Sequence, residues 1–171
     1  MGIERLMAGK SNPLGKLVAG IINTARSNSL TPYIFHTGGS NSRIINRLEI
    51  ESRLAEMGLN EPCFSPRQAD LLIVTGPVNT RMASALRFVY DQMPEPKWVM
   101  ALGDNACDGG IYKNYAVVEG AAQIIPVDVE VRGCPPSMDD IINGLEKLRK
   151  IIRERDLNAD YPQNTENTDK Q

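Results

Sequence analysis

The chain has 171 residues, enough for one compact domain that buries roughly two-thirds of the surface its unfolded form exposes. Its 19 Lys and Arg residues against 21 Asp and Glu residues give a net charge of −2, which argues against a general nucleic-acid-binding protein. The most apolar run near the N-terminus, residues 17–22, is too short to cross a membrane, so we expect no transmembrane segment. Three cysteines at wide spacing predict free thiols in a reducing compartment.

Both ends of the chain differ in composition from the middle. Residues 1–30 predict a basic N-terminal arm with one short helix near residues 14–25, and we expect this arm to pack against a neighbouring protein. Residues 156–171 are polar and lack apolar periodicity, which predicts a disordered tail. The sequence therefore predicts a single α/β domain over residues 31–155.

Strand and helix patterns alternate through this domain. In chain order, the predicted elements are a strand at 32–35, a Gly-Gly turn, a helix at 42–57 that ends at Gly58, a buried strand at 71–74, a helix from about 79 to the prolines 94 and 96, a strand at 98–102, a long turn at 103–110, a strand near 126–131, and a last helix capped by Ser137. Such alternation implies right-handed βαβ crossovers. The expected fold is a flavodoxin-like three-layer sandwich with an open parallel sheet.

Functional residues of such sheets gather in the loops at the carboxyl ends of the strands. Here those loops are 36–43, 75–79, 103–111 and 132–136. Any chemistry is therefore expected where these four loops meet.

Four motifs of the domain resemble one known family. They are Ser-Pro-Arg-Gln-Ala-Asp at 65–70, Tyr-Asp-Gln-Met-Pro-Glu-Pro-Lys-Trp-Val at 90–99, Pro-Val-Asp-Val at 126–129 and Gly-Cys-Pro-Pro at 133–136. Together they resemble the small cluster-bearing B-type subunit of respiratory complex I (NADH:quinone oxidoreductase) and the small subunits of energy-converting membrane-bound NiFe hydrogenases. The resemblance covers about residues 31–153. Residues 35–39 resemble the hydrogenase branch and residues 91–99 also suit complex I, so the branch stays open.

The resemblance implies a subunit of a multi-subunit oxidoreductase rather than an enzyme acting alone. Such a subunit lies peripherally on the cytoplasmic side of the cytoplasmic membrane. Its partners in the family are a large subunit, a ferredoxin-like cluster subunit and a membrane-arm subunit. In the family it carries the terminal 4Fe-4S cluster, which passes electrons to quinone or to a NiFe centre.

This sequence departs from the family at the cluster ligands. The resemblance places the four ligand positions at Ser40, Arg43, Asn105 and Cys134, of which only Cys134 is a cysteine. A 4Fe-4S cluster is usually held by four thiolates, and the whole chain has three sulfhydryls. We therefore expect a degenerate site whose cluster is lost or atypical, in a subunit that acts as a scaffold between the large subunit and the membrane arm.

Two alternatives stay open at this level. An unusual cluster could use Cys134 with Cys107, Asp104, His36 or a side chain from a partner. A Gly-Gly turn between a strand and a helix also suits a flavin- or nucleotide-binding sandwich that uses residues 38–42.

The replaced residues suggest contacts of their own. Arg43 and Asp104 stand on loops expected to converge, and we expect them to pair in place of the cluster. Arg67 could face a quinone pocket or partner loop, or it could anchor its own loop through Asp70. His36, the single histidine, could be a ligand or proton-linked residue, or it could satisfy turn amides at the end of its strand.

Overall fold

A computed structural model of the chain describes residues 13–38 and 55–154. Within these residues the strands are β1 (Pro32–His36), β2 (Leu71–Thr75), β3 (Trp98–Leu102) and β4 (Val129–Val131), and the α-helices are α1 (Pro13–Ser27), α2 (Thr80–Gln92), α3 (Asp104–Asp108) and α4 (Met138–Glu154). The four strands form one parallel sheet in the order β1-β2-β3-β4. The predicted α/β fold with an open parallel sheet is confirmed.

The sheet is buried on both faces at its centre. Every residue of β2 and of β3 is buried, which explains their unbroken apolar sequences. Side chains alternate between the faces, so that Leu71 and Ile73 join one core cluster while Leu72 and Val74 join the other. The molecule therefore has two cores separated by the sheet.

Among residues 13–38 and 55–154, α2 and α4 cover opposite faces of the sheet. On one face α2 contributes the fully buried Leu86, and Asn79 caps this helix by accepting a hydrogen bond from the Met82 amide at 2.7 Å. On the other face α4 contributes buried side chains at helical spacing, among them Ile141, Leu145 and Leu148. These helices complete the predicted three layers.

The segment after Gly58 lies along the outer side of β1. Leu59 forms an isolated parallel bridge with Leu30, and the Cys63 amide donates to the Pro32 carbonyl at 2.9 Å. This segment gives the sheet a flavodoxin-like order, in which the chain passes outside the first strand before it crosses to β2. Because Pro62 and its polar neighbours interrupt any apolar run, the sequence pattern does not predict this pairing.

The N-terminal helix packs on the chain itself. It spans residues 13–27, slightly more than the predicted 14–25, and contacts α4. Arg149 donates to the Ser27 carbonyl and Arg153 donates to the Ser27 hydroxyl, each at 3.1 Å. Residues 13–27 therefore pack on the domain itself, and the contact of the arm with a neighbouring protein stays a prediction. In the described ranges, 13–38 and 55–154, no helix is both long and apolar enough to span a membrane.

Several predicted elements differ in extent. The turn predicted at 103–110 contains α3, bracketed by Gly103 and Gly109, which both have positive φ. The fourth strand is limited to three residues. The predicted cap of the last helix is confirmed, since the Ser137 hydroxyl accepts from the Asp140 amide at 3.2 Å. The helix predicted at 42–57 and the tail at 156–171 lie almost wholly outside the described residues.

Gly144 marks the closest approach of α4 to the sheet. A Cβ at this position would collide with Cγ2 of Val131 in β4. We expect Gly144→Ala to destabilise the fold by about 1–3 kcal/mol, because overpacking outweighs the gain in helix propensity. The matched control is Gly20→Ala in α1, where a Cβ meets nothing within 4 Å, and we expect it to be neutral or stabilising by up to about 1 kcal/mol. Urea-induced unfolding measures the change in the free energy of unfolding for both variants. Equal effects of the two substitutions would contradict this packing argument.

Candidate functional site

Two loops meet at the carboxyl end of the sheet. Leu102 of β3 pairs with Val131 of β4, so the chain leaves both strands side by side. The Gly103 amide donates to the Val131 carbonyl at 2.7 Å and extends the pairing beyond the strands. The loops 103–111 and 132–136 therefore converge, as strand order predicts.

Asp104 joins these loops through hydrogen bonds in both directions. Its Oδ1 accepts from the Gly133 amide at 2.9 Å, and its own amide donates to the Gly133 carbonyl at 3.2 Å. Asp104 thus satisfies a loop amide that lies beside Cys134. Its predicted partner Arg43 lies outside the described residues, so the proposed pair stays a prediction.

Asn105, which the resemblance assigns to a ligand position, is buried, with 2% of its surface exposed. Its Nδ2 lies 3.9 Å from Cys134 Sγ, within hydrogen-bonding range of a sulfur acceptor. Its Oδ1 packs against Gly110, where any Cβ would collide with it, and has no hydrogen-bond partner among the described residues. The carboxamide therefore fills the space between Gly110 and Cys134.

Cys107 points away from this contact and into the core. It is 6% exposed and packs in the cluster beneath α2. Its sulfur faces the carbonyls of Ala101 and Val131, at 3.7 and 3.8 Å. Burial raises the pKa of the Cys107 thiol from 9.0 to about 12. This environment favours a protonated thiol.

The other two cysteines lie at opposite edges of the sheet. Cys134 is exposed in the loop after β4. The Cys63 amide donates a hydrogen bond to the Pro32 carbonyl at the amino end of β1, and the Cys63 thiol donates to the Ser65 carbonyl at 3.2 Å. Burial raises the pKa of the Cys63 thiol as well. Cys63 therefore does not approach the loops that hold Asn105 and Cys134.

A surface charge cluster links the same two loops. Asp108 of α3 lies 3.7 Å from Lys113 and 3.6 Å from Arg132, and Arg132 lies 3.4 Å from Glu130. Exposed pairs of this kind contribute little stability individually. No sequence pattern indicates this cluster, because Asp108 and Arg132 are brought together only by the pairing of β3 with β4.

The remaining predicted site residues lie apart from this contact. His36 is exposed at the end of β1, and its Nδ1 forms a hydrogen bond of 2.9 Å with the Thr75 hydroxyl. Arg67 lies exposed in a 3₁₀ turn at 66–68, and no bond to Asp70 is present among the described residues. Ser40, and with it most of the flavin turn at 38–42, lies outside the described residues.

An apolar ridge follows the Gly109-Gly110 turn. Its side chains Ile111, Tyr112 and Tyr115 are 83%, 46% and 100% exposed. The ridge is held to the core, since the Val118 amide donates to the Val78 carbonyl at 2.8 Å. Exposed apolar side chains on a fixed loop are typical of a surface that another protein covers.

The α/β fold is shared with chains of known respiratory and hydrogenase complexes. The NAD⁺-reducing [NiFe]-hydrogenase structure matches the fold with a TM-score of 0.53 at 17% identity, covering 71% of this chain and 92% of that one. A chain of the membrane-bound sulfane sulfur reductase, an archaeal respiratory membrane complex, matches with a TM-score of 0.70 at 32% identity, covering 78% and 76%.

Sequence comparison identifies the family. Residues 35–148 match the family described as NADH ubiquinone oxidoreductase, 20 Kd subunit. A B-type subunit of the NADH-quinone oxidoreductase of Chloroflexus aurantiacus is 41% identical over 156 residues, covering 91% of this chain and 89% of the relative. The corresponding NADH-quinone oxidoreductase subunit of Campylobacter fetus is 40% identical over 164 residues, covering 94% and 96%. The chain belongs to this family, as the four motifs predict.

The described ligand positions do not fit the 4Fe-4S cluster for which this family is known. A cluster ligand must direct its donor atom at iron, but Asn105 is packed between Gly110 and Cys134, and Cys107 faces two core carbonyls. In the described part of the chain, no group of three or more His, Cys, Asp and Glu side chains is arranged to hold a metal ion.

Asp104 provides a test of the loop contact. Asp104→Ala leaves the Gly133 amide without its acceptor, and we expect the free energy of unfolding to fall by about 1–3 kcal/mol. Asp104→Asn keeps an oxygen acceptor, so it should lose less stability. Chemical denaturation of the three proteins checks this order. If the Asn and Ala variants were equally destabilised, the hydrogen bond to Gly133 would contribute nothing.

The Cys107 thiol predicts a loss of stability at alkaline pH. Its folded pKa of about 12 lies above the ordinary value of 9.0, so the folded state retains a proton that the unfolded state releases. The stabilisation is complete below pH 9 and is lost as the pH rises toward 12. Between pH 9 and 11, wild type should lose more stability than Cys107→Ala, measured by thermal unfolding in reductant. Parallel pH profiles for the two proteins would refute this assignment.

Proposed function

We propose that this chain is a peripheral subunit of a membrane-anchored oxidoreductase complex of the complex I or energy-converting hydrogenase type. It takes the place of the terminal 4Fe-4S subunit without holding that cluster, and it acts as a scaffold between the large subunit and the membrane arm. Its partners are the large subunit, a ferredoxin-like cluster subunit and a membrane-arm subunit, on the cytoplasmic side of the membrane.

The buried Asn105 carries this proposal. A side chain that is 2% exposed and lies against Cys134 Sγ takes up space that a cluster would need. Asp104 accepts a hydrogen bond from the Gly133 amide, and Asp108 forms an ion pair with Arg132. These contacts join the two loops through the chain's own side chains.

A partner surface is available beside these loops. The ridge of Ile111, Tyr112 and Tyr115 is exposed in the isolated chain, yet its backbone is tied to the core. A fixed apolar ridge loses little conformational freedom when a partner covers it. Arg67, exposed in the turn before β2, provides a separate polar contact, which we assign to a partner loop.

The experiment compares the intact complex with a complex that contains Cys134→Ser. If the subunit holds no cluster, both complexes carry equal amounts of iron and acid-labile sulfide per complex, and their low-temperature EPR spectra coincide. Deletion of the subunit should dissociate the large subunit from the membrane arm, and Cys134→Ser should restore assembly. A loss of about four irons with Cys134→Ser would overturn the proposal and favour an atypically ligated cluster that transfers electrons.

A further inference from the structure

The N-terminal helix α1 packs on the domain through polar side chains. Within residues 20–27, the part of α1 whose side chains are described, only Asn23 and Ser27 are buried, at 4% and 0% exposed. Asn23 donates to the Arg153 carbonyl at 3.5 Å, and Ser27 accepts hydrogen bonds from both Arg149 and Arg153 of α4. A helix on the surface of a domain normally turns its apolar side inward. The described part of α1 has the reverse arrangement.

The opposite side of α1 is apolar and exposed. Ile21 is 61% exposed, and a Cβ added at Gly20 would meet nothing within 4 Å. Thr24 is exposed as well, but its hydroxyl donates to the Gly20 carbonyl at 2.7 Å and is thus bonded within the helix. Three apolar residues precede Ile21 by the three, four and seven positions that define one helix face, namely Val18, Leu17 and Leu14. Positions 14, 17, 18 and 21 form the apolar strip of α1.

The charges around the apolar strip suit a surface of negative charge. Residues 17–25 contain no charged side chain, whereas Lys16 precedes this stretch and Arg26 follows it. Among residues 1–20 three are basic and one is acidic, although the chain as a whole has a net charge of −2. Apolar residues on one helix face with basic residues beside them are typical of helices that lie in the interface of an anionic bilayer.

We propose that α1 is a membrane-contact helix whose apolar strip enters the headgroup layer of an anionic bilayer. The inference rests on the proposed membrane-anchored complex and adds direct lipid contact to it. Arg149 and Arg153 each bond Ser27 at 3.1 Å and fix α1 on α4, so lipid contact at the strip also orients the domain on the membrane. A few basic residues bind lipid weakly. The contact therefore supplements the partner subunits and does not replace them.

Co-sedimentation of the purified full chain with lipid vesicles tests this contact. The chain should bind vesicles of phosphatidylcholine mixed with phosphatidylglycerol more tightly than vesicles of phosphatidylcholine alone, and high salt should weaken the binding. Ile21→Asp should weaken binding to the mixed vesicles by at least about fivefold, because a carboxylate replaces an apolar contact with lipid. The matched control is Ile111→Asp, which changes another exposed isoleucine in the ridge and should leave vesicle binding unchanged.

A gain in binding provides a result that misfolding cannot imitate. Gly20→Leu adds an apolar side chain beside Ile21, at a position with open space around it. We expect this variant to bind the mixed vesicles about fivefold more tightly than wild type, because more apolar surface enters the bilayer interface. Thermal unfolding of each variant verifies that the fold is retained.

Failure of the lipid contact is distinguishable from failure of the proposed function. If the chain binds no vesicles, or if Ile21→Asp and Ile111→Asp bind them equally, the lipid contact is overturned, while iron content and assembly of the complex still test the scaffold. If Ile21→Asp leaves vesicle binding unchanged but detaches the subunit from the membrane arm in detergent, a protein covers the strip and the lipid contact is again overturned. Binding that is weakened by Ile21→Asp, unchanged by Ile111→Asp and raised by Gly20→Leu supports it.

Discussion

The parallel pairing of β3 with β4 is the constraint on which the site depends. It places Leu102 beside Val131 and so brings Gly103 next to the chain that continues into Cys134. Both strands are anchored by the cores, since β3 is buried on both faces and Val131 packs against α4. The loops at this edge therefore meet whether or not a metal joins them. This explains how the chain can retain the fold of its family with a single cysteine at the four positions that the resemblance assigns to cluster ligands.

Elements governed by burial were predictable from the sequence, and contacts between loops were not. The unbroken apolar runs of β2 and β3 identified both strands to within one residue, and Ser137 identified the start of α4. By contrast, α3 escaped prediction because two glycines enclose only five residues. Its helix is maintained by the burial of Ala106 and Cys107, a tertiary effect that no local pattern reveals.

The candidate site shows the same division. Motif resemblance singled out Asn105 and Cys134, and the fold brings these two residues together. Resemblance did not indicate that Asp104 bonds Gly133, or that Cys63 lies at the opposite edge of the sheet. Those facts depend on strand register and on the path of residues 59–63 outside β1. A sequence shows which side chains are present, whereas their directions follow from packing.

The direction of the Cys107 side chain illustrates why the number of thiols in a sequence does not show which of them can act as cluster ligands. Cys107 lies two residues after Asn105, near enough in sequence to resemble a displaced ligand. Successive residues of a helix point about 100° apart, so a shift of two positions turns the side chain to nearly the opposite side of α3. There Cys107 faces the carbonyls of Ala101 and Val131, while Asn105 faces Cys134. A cysteine at position 107 therefore faces core carbonyls, whereas a side chain at position 105 faces the loop that carries Cys134. A cluster could use Cys107 only if α3 unwound and exposed part of the core beneath α2.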